Sequence, residues 1–112
     1  MSRITTHILD TSAGKPAAGV NISLSFLNDR SWIDSGEGIT DKDGRISSLL
    51  NESTERKKGI YKIKFMTGEY FKNKGLKNFY PYVEIIFEID SDEHFHIPLL
   101  ISPFGYSTYR GS

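Results

Sequence analysis

Three histidines, one arginine beside a turn and an aromatic, cationic carboxy-terminal segment are the parts of this chain best equipped for chemistry. His94 and His96 stand two apart in an extended, apolar segment. Side chains at that spacing share one face of a strand, so both imidazoles project from one side while Phe95, Ile97, Leu99 and Ile101 project from the other. A neutral imidazole, with an ordinary pKa of about 6.5, can take a proton from water near neutrality. The pair could equally join His7 in a tri-imidazole zinc set, since His-x-His on a strand with a distant third His is a known ligand pattern. Pro98 and Leu100 share the histidine face, so this surface is not built for water alone, and an interface would account for both features.

The remaining candidates say less when taken singly. His7, beside Thr5 and Thr6, reads as a partly buried histidine satisfied by a hydrogen bond. Arg45 follows Asp43-Gly44, where an arginine ordinarily serves solubility, and sequence spacing does not bring it to the histidines. The segment Gly105-Tyr106-Ser107-Thr108-Tyr109-Arg110-Gly111-Ser112 carries two tyrosines and an arginine up to the last residue. Frayed ends are normally short of aromatic residues, so this one is expected to dock.

The elements that must position these groups follow a period of two. Val20, Ile22, Leu24 and Phe26 alternate with Asn21, Ser23 and Ser25, the pattern of a half-buried strand. Tyr61, Ile63 and Phe65 repeat it against Lys62 and Lys64, as do Val83, Ile85, Phe87 and Ile89 against Glu84, Ile86 and Glu88. Phe95, Ile97, Leu99 and Ile101 form the fourth clear strand. Weaker strands are expected at residues 4–9, 32–35, 44–47 and 106–109, for about eight in all. Ala13-Gly14-Lys15-Pro16, Asn28-Asp29-Arg30 and Asp43-Gly44 have turn chemistry. One short helix is expected between Gly68 and Lys74, capped by Thr67 and closed by Gly75, and residues 51–58 read as a surface loop. The expected fold is mainly β, an eight-stranded antiparallel two-sheet sandwich with one short helix, in which the alternating faces meet in a shared core.

Composition narrows the function. At 112 residues, 38% of them apolar and 25% charged, the chain fits one packed domain, residues 1–112. Fourteen basic residues balance fourteen acidic ones, so no basic field exists to hold nucleic acid, and Arg56-Lys57-Lys58 reads as a solvated turn. The lack of cysteine removes disulfides, thiolate metal sites and a thiol nucleophile, and leaves the compartment open. The first residues lack the apolar run of a signal peptide, and no stretch reaches the ~20 apolar residues of a membrane span, so a cytoplasmic protein is expected.

Four segments in order carry a resemblance. Thr6-His7-Ile8-Leu9-Asp10 followed by Gly14-Lys15-Pro16-Ala17, then Thr40-Asp41-Lys42-Asp43-Gly44-Arg45, then His94-Phe95-His96-Ile97-Pro98-Leu99-Leu100, and finally Tyr109-Arg110-Gly111-Ser112, resemble the 5-hydroxyisourate hydrolases, or transthyretin-like proteins. The likeness spans the chain. Phe95 stands where many members of that family have Tyr, on the core face, where no change of chemistry is expected. The resemblance implies an eight-stranded sandwich, a homotetramer with active sites where subunits meet, and a functional set of His7, Arg45, His96 and Ser112, with Tyr109, Arg110 and Gly111 completing the terminal motif. His94 lies outside that set and is assigned a secondary role.

The implied reaction is hydrolysis of the cyclic amide of 5-hydroxyisourate to 2-oxo-4-hydroxy-4-carboxy-5-ureidoimidazoline in urate breakdown, with no metal or organic cofactor. Ring opening by water needs a base, a stabiliser for the carbonyl oxygen and a proton donor for the departing nitrogen. His96 is expected as the base, His7 to orient water or return the proton, and Arg45 to offer its planar fork to the urate-like oxygens. Ser112 would hydrogen-bond substrate or water through its hydroxyl and terminal carboxylate on a tail freed by Gly111. Two other readings stay open. One is a zinc hydrolase using His7, His94 and His96. The other is a non-catalytic carrier, since the resemblance extends to hormone-binding transthyretins, which hold a ligand in an inter-subunit channel; the terminal tetrapeptide and the His/Arg set favour the enzyme, because a hydrophobic channel has little use for them.

Overall fold

The alternating segments become two stacked sheets in a computed structural model, which describes residues 3–112. The strands are β1 (Ile4–Asp10), β2 (Lys15–Pro16), β3 (Asn21–Asn28), β4 (Ser31–Ile39), β5 (Arg45–Ile46), β6 (Gly59–Phe65), β7 (Val83–Ile89), β8 (Phe95–Ser102) and β9 (Gly105–Thr108). The helix α1 (Thr67–Asn73) lies between β6 and β7. One sheet has the order β2-β1-β8-β9, with β5 also pairing β1; the other has the order β4-β3-β6-β7.

Alternation explains the core. Ile4 and Ile8 of β1, Leu24 of β3, Ile63 and Phe65 of β6, and Leu99 and Ile101 of β8 are almost completely buried and face one another between the sheets. Burial of each such side chain contributes about 1.5–3 kcal/mol of hydrophobic stabilisation. The intervening residues Thr5, His7, Lys62, Lys64 and His96 are only half-buried, as expected for the outward faces.

Several details depart from the sequence expectations. The pairing is antiparallel except between β1 and β8, which run parallel with Thr5 opposite His96 and His7 opposite Pro98. A parallel neighbour requires a long crossover, and here the whole second sheet lies between the two strands in sequence. Lys15 and Pro16, read as turn residues, also form the two-residue strand β2 against Leu9 and Asp10. The weak signal at residues 32–35 expands to β4, because pairing with β3 carries the strand through Gly36 and Gly38 although those glycines break the alternation. Thr67 is the first helical residue rather than the cap; Met66 holds the cap position, with no side-chain cap bond. Gly75 does close the helix, with a φ of 73° and amides of Gly75 and Leu76 donating to the carbonyls of Lys72 and Phe71.

The helix is tied to the sandwich through Asp10. Its buried carboxylate accepts hydrogen bonds from the Ser12 hydroxyl at 2.6 Å, the Tyr70 hydroxyl at 2.8 Å and the Ala13 amide at 3.2 Å, with Lys74 at 3.8 Å. Burial would raise this carboxyl, but the bonds from Ser12, Tyr70 and Ala13, with the Lys74 charge, outweigh it and hold Asp10 below the usual carboxylate range.

Candidate functional site

Strand register assembles the site on the outward face of β1. Thr5 and His7 project outward because Ile4, Thr6 and Ile8 are buried. β5 runs antiparallel beside them and sets Arg45 opposite His7, while β8 sets His96 opposite Thr5. Residues far apart in sequence thereby share one surface.

Local turn chemistry presents Arg45. The Asp41 carboxylate accepts the amides of Asp43 at 2.8 Å and Arg45 at 3.0 Å, closing a tight loop. The Arg45 amide is the main reason that the Asp41 carboxyl is held low, with smaller help from the Asp43 amide and the Arg45 and Lys42 charges against the small cost of burial. Gly44 has a φ of 72°, and its carbonyl accepts the Ile8 amide at 2.8 Å. A side chain there would run into the Ile8 carbonyl, so glycine is what lets β5 lie against β1.

The carboxy-terminal segment is docked. β9 pairs with β8, the Thr108 hydroxyl donates to the Pro98 carbonyl at 2.7 Å, and the Gly111 amide donates to the His96 carbonyl at 2.9 Å. Gly111 packs so closely that an added Cβ would stand 2.5 Å from His96 Cδ2 and 3.1 Å from Pro98 Cγ. Ser112 is thus delivered to a cleft of about 270 Å³ whose walls include Thr5, Arg45, Ser47, His94 and His96.

The structure therefore brings His96, Arg45 and Ser112 to one cleft, with His7 beside it rather than on its wall. The tail divides at Gly111. Tyr109 and Arg110 line a second cleft of about 310 Å³, together with Ile86 and Glu88 of β7 and the Phe95 side of β8. Arg110 lies 4.4 Å over the ring of Phe95 and pairs with Glu93 at 3.2 Å. Phe95 itself is buried, as its place on the core face requires. Within one chain, then, Tyr109 and Arg110 face away from the His96 cleft, and His96 borders both clefts.

His96 is tuned toward the neutral form. Burial is the first cause of its lowered pKa, followed by the positive potentials of His94, His7 and Arg45, so the imidazole is neutral at pH 7. Its Nδ1 lies 2.7 Å from the Thr5 hydroxyl, while Nε2 has no hydrogen bond to a described residue. A half-buried neutral imidazole with one free nitrogen, next to a guanidinium, suits proton abstraction beside a developing negative charge.

The zinc arrangement meets an obstacle in the donor geometry. His94 Nε2 and His96 Nδ1 both converge on the Thr5 hydroxyl, and among the described residues no three His, Asp or Glu side chains are grouped as a metal set. Sequence reasoning missed Thr5 and, although it gave His94 a secondary role, did not connect His94 to Thr5. The period of two already put Thr5 on the face of His7, but only the β1–β8 register joins it to the histidine pair.

A two-sheet sandwich with a polar His/Arg cleft on one outer face defines the general class. Residues 4–111 match the HIUase/Transthyretin family, and the chain belongs to it. The 5-hydroxyisourate hydrolase of Mus musculus is 46% identical over 114 residues, covering 99% of this chain and 96% of that one. Among solved structures, the Klebsiella pneumoniae 5-hydroxyisourate hydrolase is 38% identical with a TM-score of 0.86, covering 99% of this chain and all of the other. Sea bream transthyretin in complex with thyroxine is 32% identical with a TM-score of 0.89, covering 96% and 93%.

Proposed function

We propose that residues 1–112 form one catalytic domain that hydrolyses 5-hydroxyisourate, opening its ring at a cyclic amide. The observation that carries this is the cleft in which neutral His96 meets Arg45 and the docked Ser112. The mouse and Klebsiella relatives, both 5-hydroxyisourate hydrolases, support it. His96 Nε2 takes a proton from the attacking water. Arg45 stabilises the oxyanion, Ser112 holds substrate or water, and His7 beside Arg45 orients the water or returns the proton. The sea bream protein holds thyroxine on the same fold, but the charged and polar lining of this cleft favours reaction over storage of an apolar ligand.

A homotetramer with sites at subunit contacts belongs to the same proposal. β7 and β9 are edge strands, and Ile86, Tyr106 and Tyr109 on them or next to them are exposed, which suits pairing with another copy. In such an assembly Tyr109 and Arg110 reach substrate from a neighbouring subunit; light scattering on the native protein checks the assembly. Among the described residues no helix is long and apolar enough to cross a membrane. Residence in the cytoplasm is part of the proposal and is checked by fractionation.

The direct experiment follows the ultraviolet decay of freshly generated 5-hydroxyisourate with and without the protein, subtracting spontaneous hydrolysis. Acceleration is expected; decay at the background rate overturns the reading. The same assay across pH tests the base. Because His96 acts neutral and its pKa is lowered, activity should persist as pH falls past the ordinary histidine value of 6.5 and disappear only in the acid below it. An acid limb centred above that value would contradict the assignment.

A further inference from the structure

A hydroxyl has one proton to give. Thr5 Oγ1 lies 2.7 Å from His96 Nδ1 and 2.8 Å from His94 Nε2, so it donates to at most one ring and accepts from the other. Two arrangements satisfy both bonds. If Thr5 donates to His96, the proton of His96 sits on Nε2, which then faces the cleft as a donor. If Thr5 donates to His94, His96 carries its proton on Nδ1 and its Nε2 lone pair is free. Arg45 on the wall of the same cleft has donors only, so a lone pair on Nε2 is favoured there over a further N–H. His94 is solvent-exposed and completes its own hydrogen bonding with water in either case.

We propose that Thr5 and His94 form a proton relay that sets His96 as the base, with His96 Nδ1–H donating to Thr5 Oγ1 and Thr5 Oγ1–H donating to His94 Nε2. This rests on the hydrolytic reading above. When Nε2 of His96 takes a proton from water, the Nδ1 proton passes to Thr5 and the Thr5 proton passes to His94. Three bonds to hydrogen break, at water, His96 Nδ1 and Thr5 Oγ1, and three form, at His96 Nε2, Thr5 Oγ1 and His94 Nε2, so the positive charge settles on an exposed ring instead of a half-buried one. Solvation of an imidazolium is better there, next to water. His96 is left neutral with a proton on Nε2, available to the departing nitrogen as the relay runs back. The titratable and charged groups around His96 are His94 on its own segment, Arg3 and His7 on the β1 side and Arg45 on β5, with Ser112 from the tail. Only His94 is bonded to it through a hydroxyl. Thr5 and His94 are thus positioning residues.

The test uses native full-length protein, Thr5→Val, Thr5→Ser and His94→Gln, each followed by steady-state kinetics and by nitrogen-15 NMR of the histidine rings without substrate. Valine keeps the β-branched shape of threonine, so the strand survives while the hydroxyl is lost. Thr5→Val should lower kcat about 10- to 100-fold, at or below the low end of the ~10²- to 10⁴-fold of a direct proton-transfer group because Thr5 acts through His96, with KM changed less than about twofold. Thr5→Ser should recover to within about threefold of the native rate, since a hydroxyl is again present. His94→Gln keeps an acceptor but cannot hold the proton, so kcat should fall with KM unchanged. The native spectrum should show His96 protonated on Nδ1, and Thr5→Val should lose that signature. Native rates in Thr5→Val and His94→Gln, serine no better than valine, or a His96 protonated on Nε2 would each overturn the relay. If the native protein fails to accelerate ring opening, the hydrolytic reading falls instead, and the ring spectra still report whether the relay exists.

Discussion

Replacing His96 with asparagine is expected to lower kcat for 5-hydroxyisourate ring opening by about 10²- to 10⁴-fold, the range for loss of a positioned general base. Asparagine offers an amide near the place of Nδ1, so the contact with Thr5 at 2.7 Å can be kept while the basic nitrogen is lost. The thermal midpoint should therefore change little, which separates chemistry from folding. KM should also hold if His96 acts on water more than on substrate. Arg45→Lys is the useful contrast: it keeps the charge but loses the planar fork, so its deficit should be smaller than that of His96→Asn and should grow if lysine is replaced by methionine. Full activity in His96→Asn, after subtraction of the spontaneous rate, would remove His96 as the base.

Gly111→Ala is expected to cost about 10²-fold in kcat/KM, the scale associated with misplacing a catalytic group by about 1 Å. One methyl group should suffice, because the added carbon would stand 2.5 Å from His96 Cδ2 and 3.1 Å from Pro98 Cγ. Either the imidazole turns or the tail lifts, and both separate Ser112 from the base. Global stability should be nearly native, since the contact lies at the end of the chain and outside the buried core between the sheets. The measurement is kinetic, paired with the His96 ring signals: a shifted ring or a mobile Ser112 with lost activity supports the docked tail. Native activity in Gly111→Ala would show that the tail does not govern the cleft.

The fold was largely legible because its signal is local. Period-two runs such as Val20 to Phe26 and Tyr61 to Phe65 declare both the strand and its buried face, and Gly75 marks the helix end through its positive φ. β4 was only partly legible, since Gly36 and Gly38 interrupt its alternation and pairing with β3 supplies what propensity lacks. The parallel β1–β8 pair had no local mark. Register between strands distant in sequence depends on how the sheets close, and no residue of β1 by itself specifies β8 as a neighbour.

The site divides in the same way. Residue types and periodicity alone determined that His94 and His96 share a face away from the core, and that the tail is too aromatic to be loose. The four-part resemblance added His7, Arg45 and Ser112 as candidates. Tertiary structure decided what those groups meet. The β1–β5 and β1–β8 registers carried Arg45 to His7 and Thr5 to His96, and the Gly111 contact sent Ser112 into the cleft while Arg110 turned to Phe95 and Glu93. Side-chain identity and alternation are properties of neighbouring residues, whereas the docking of that tail and the sharing of one Thr5 hydroxyl by two histidines arise only when remote strands are hydrogen-bonded in a particular register.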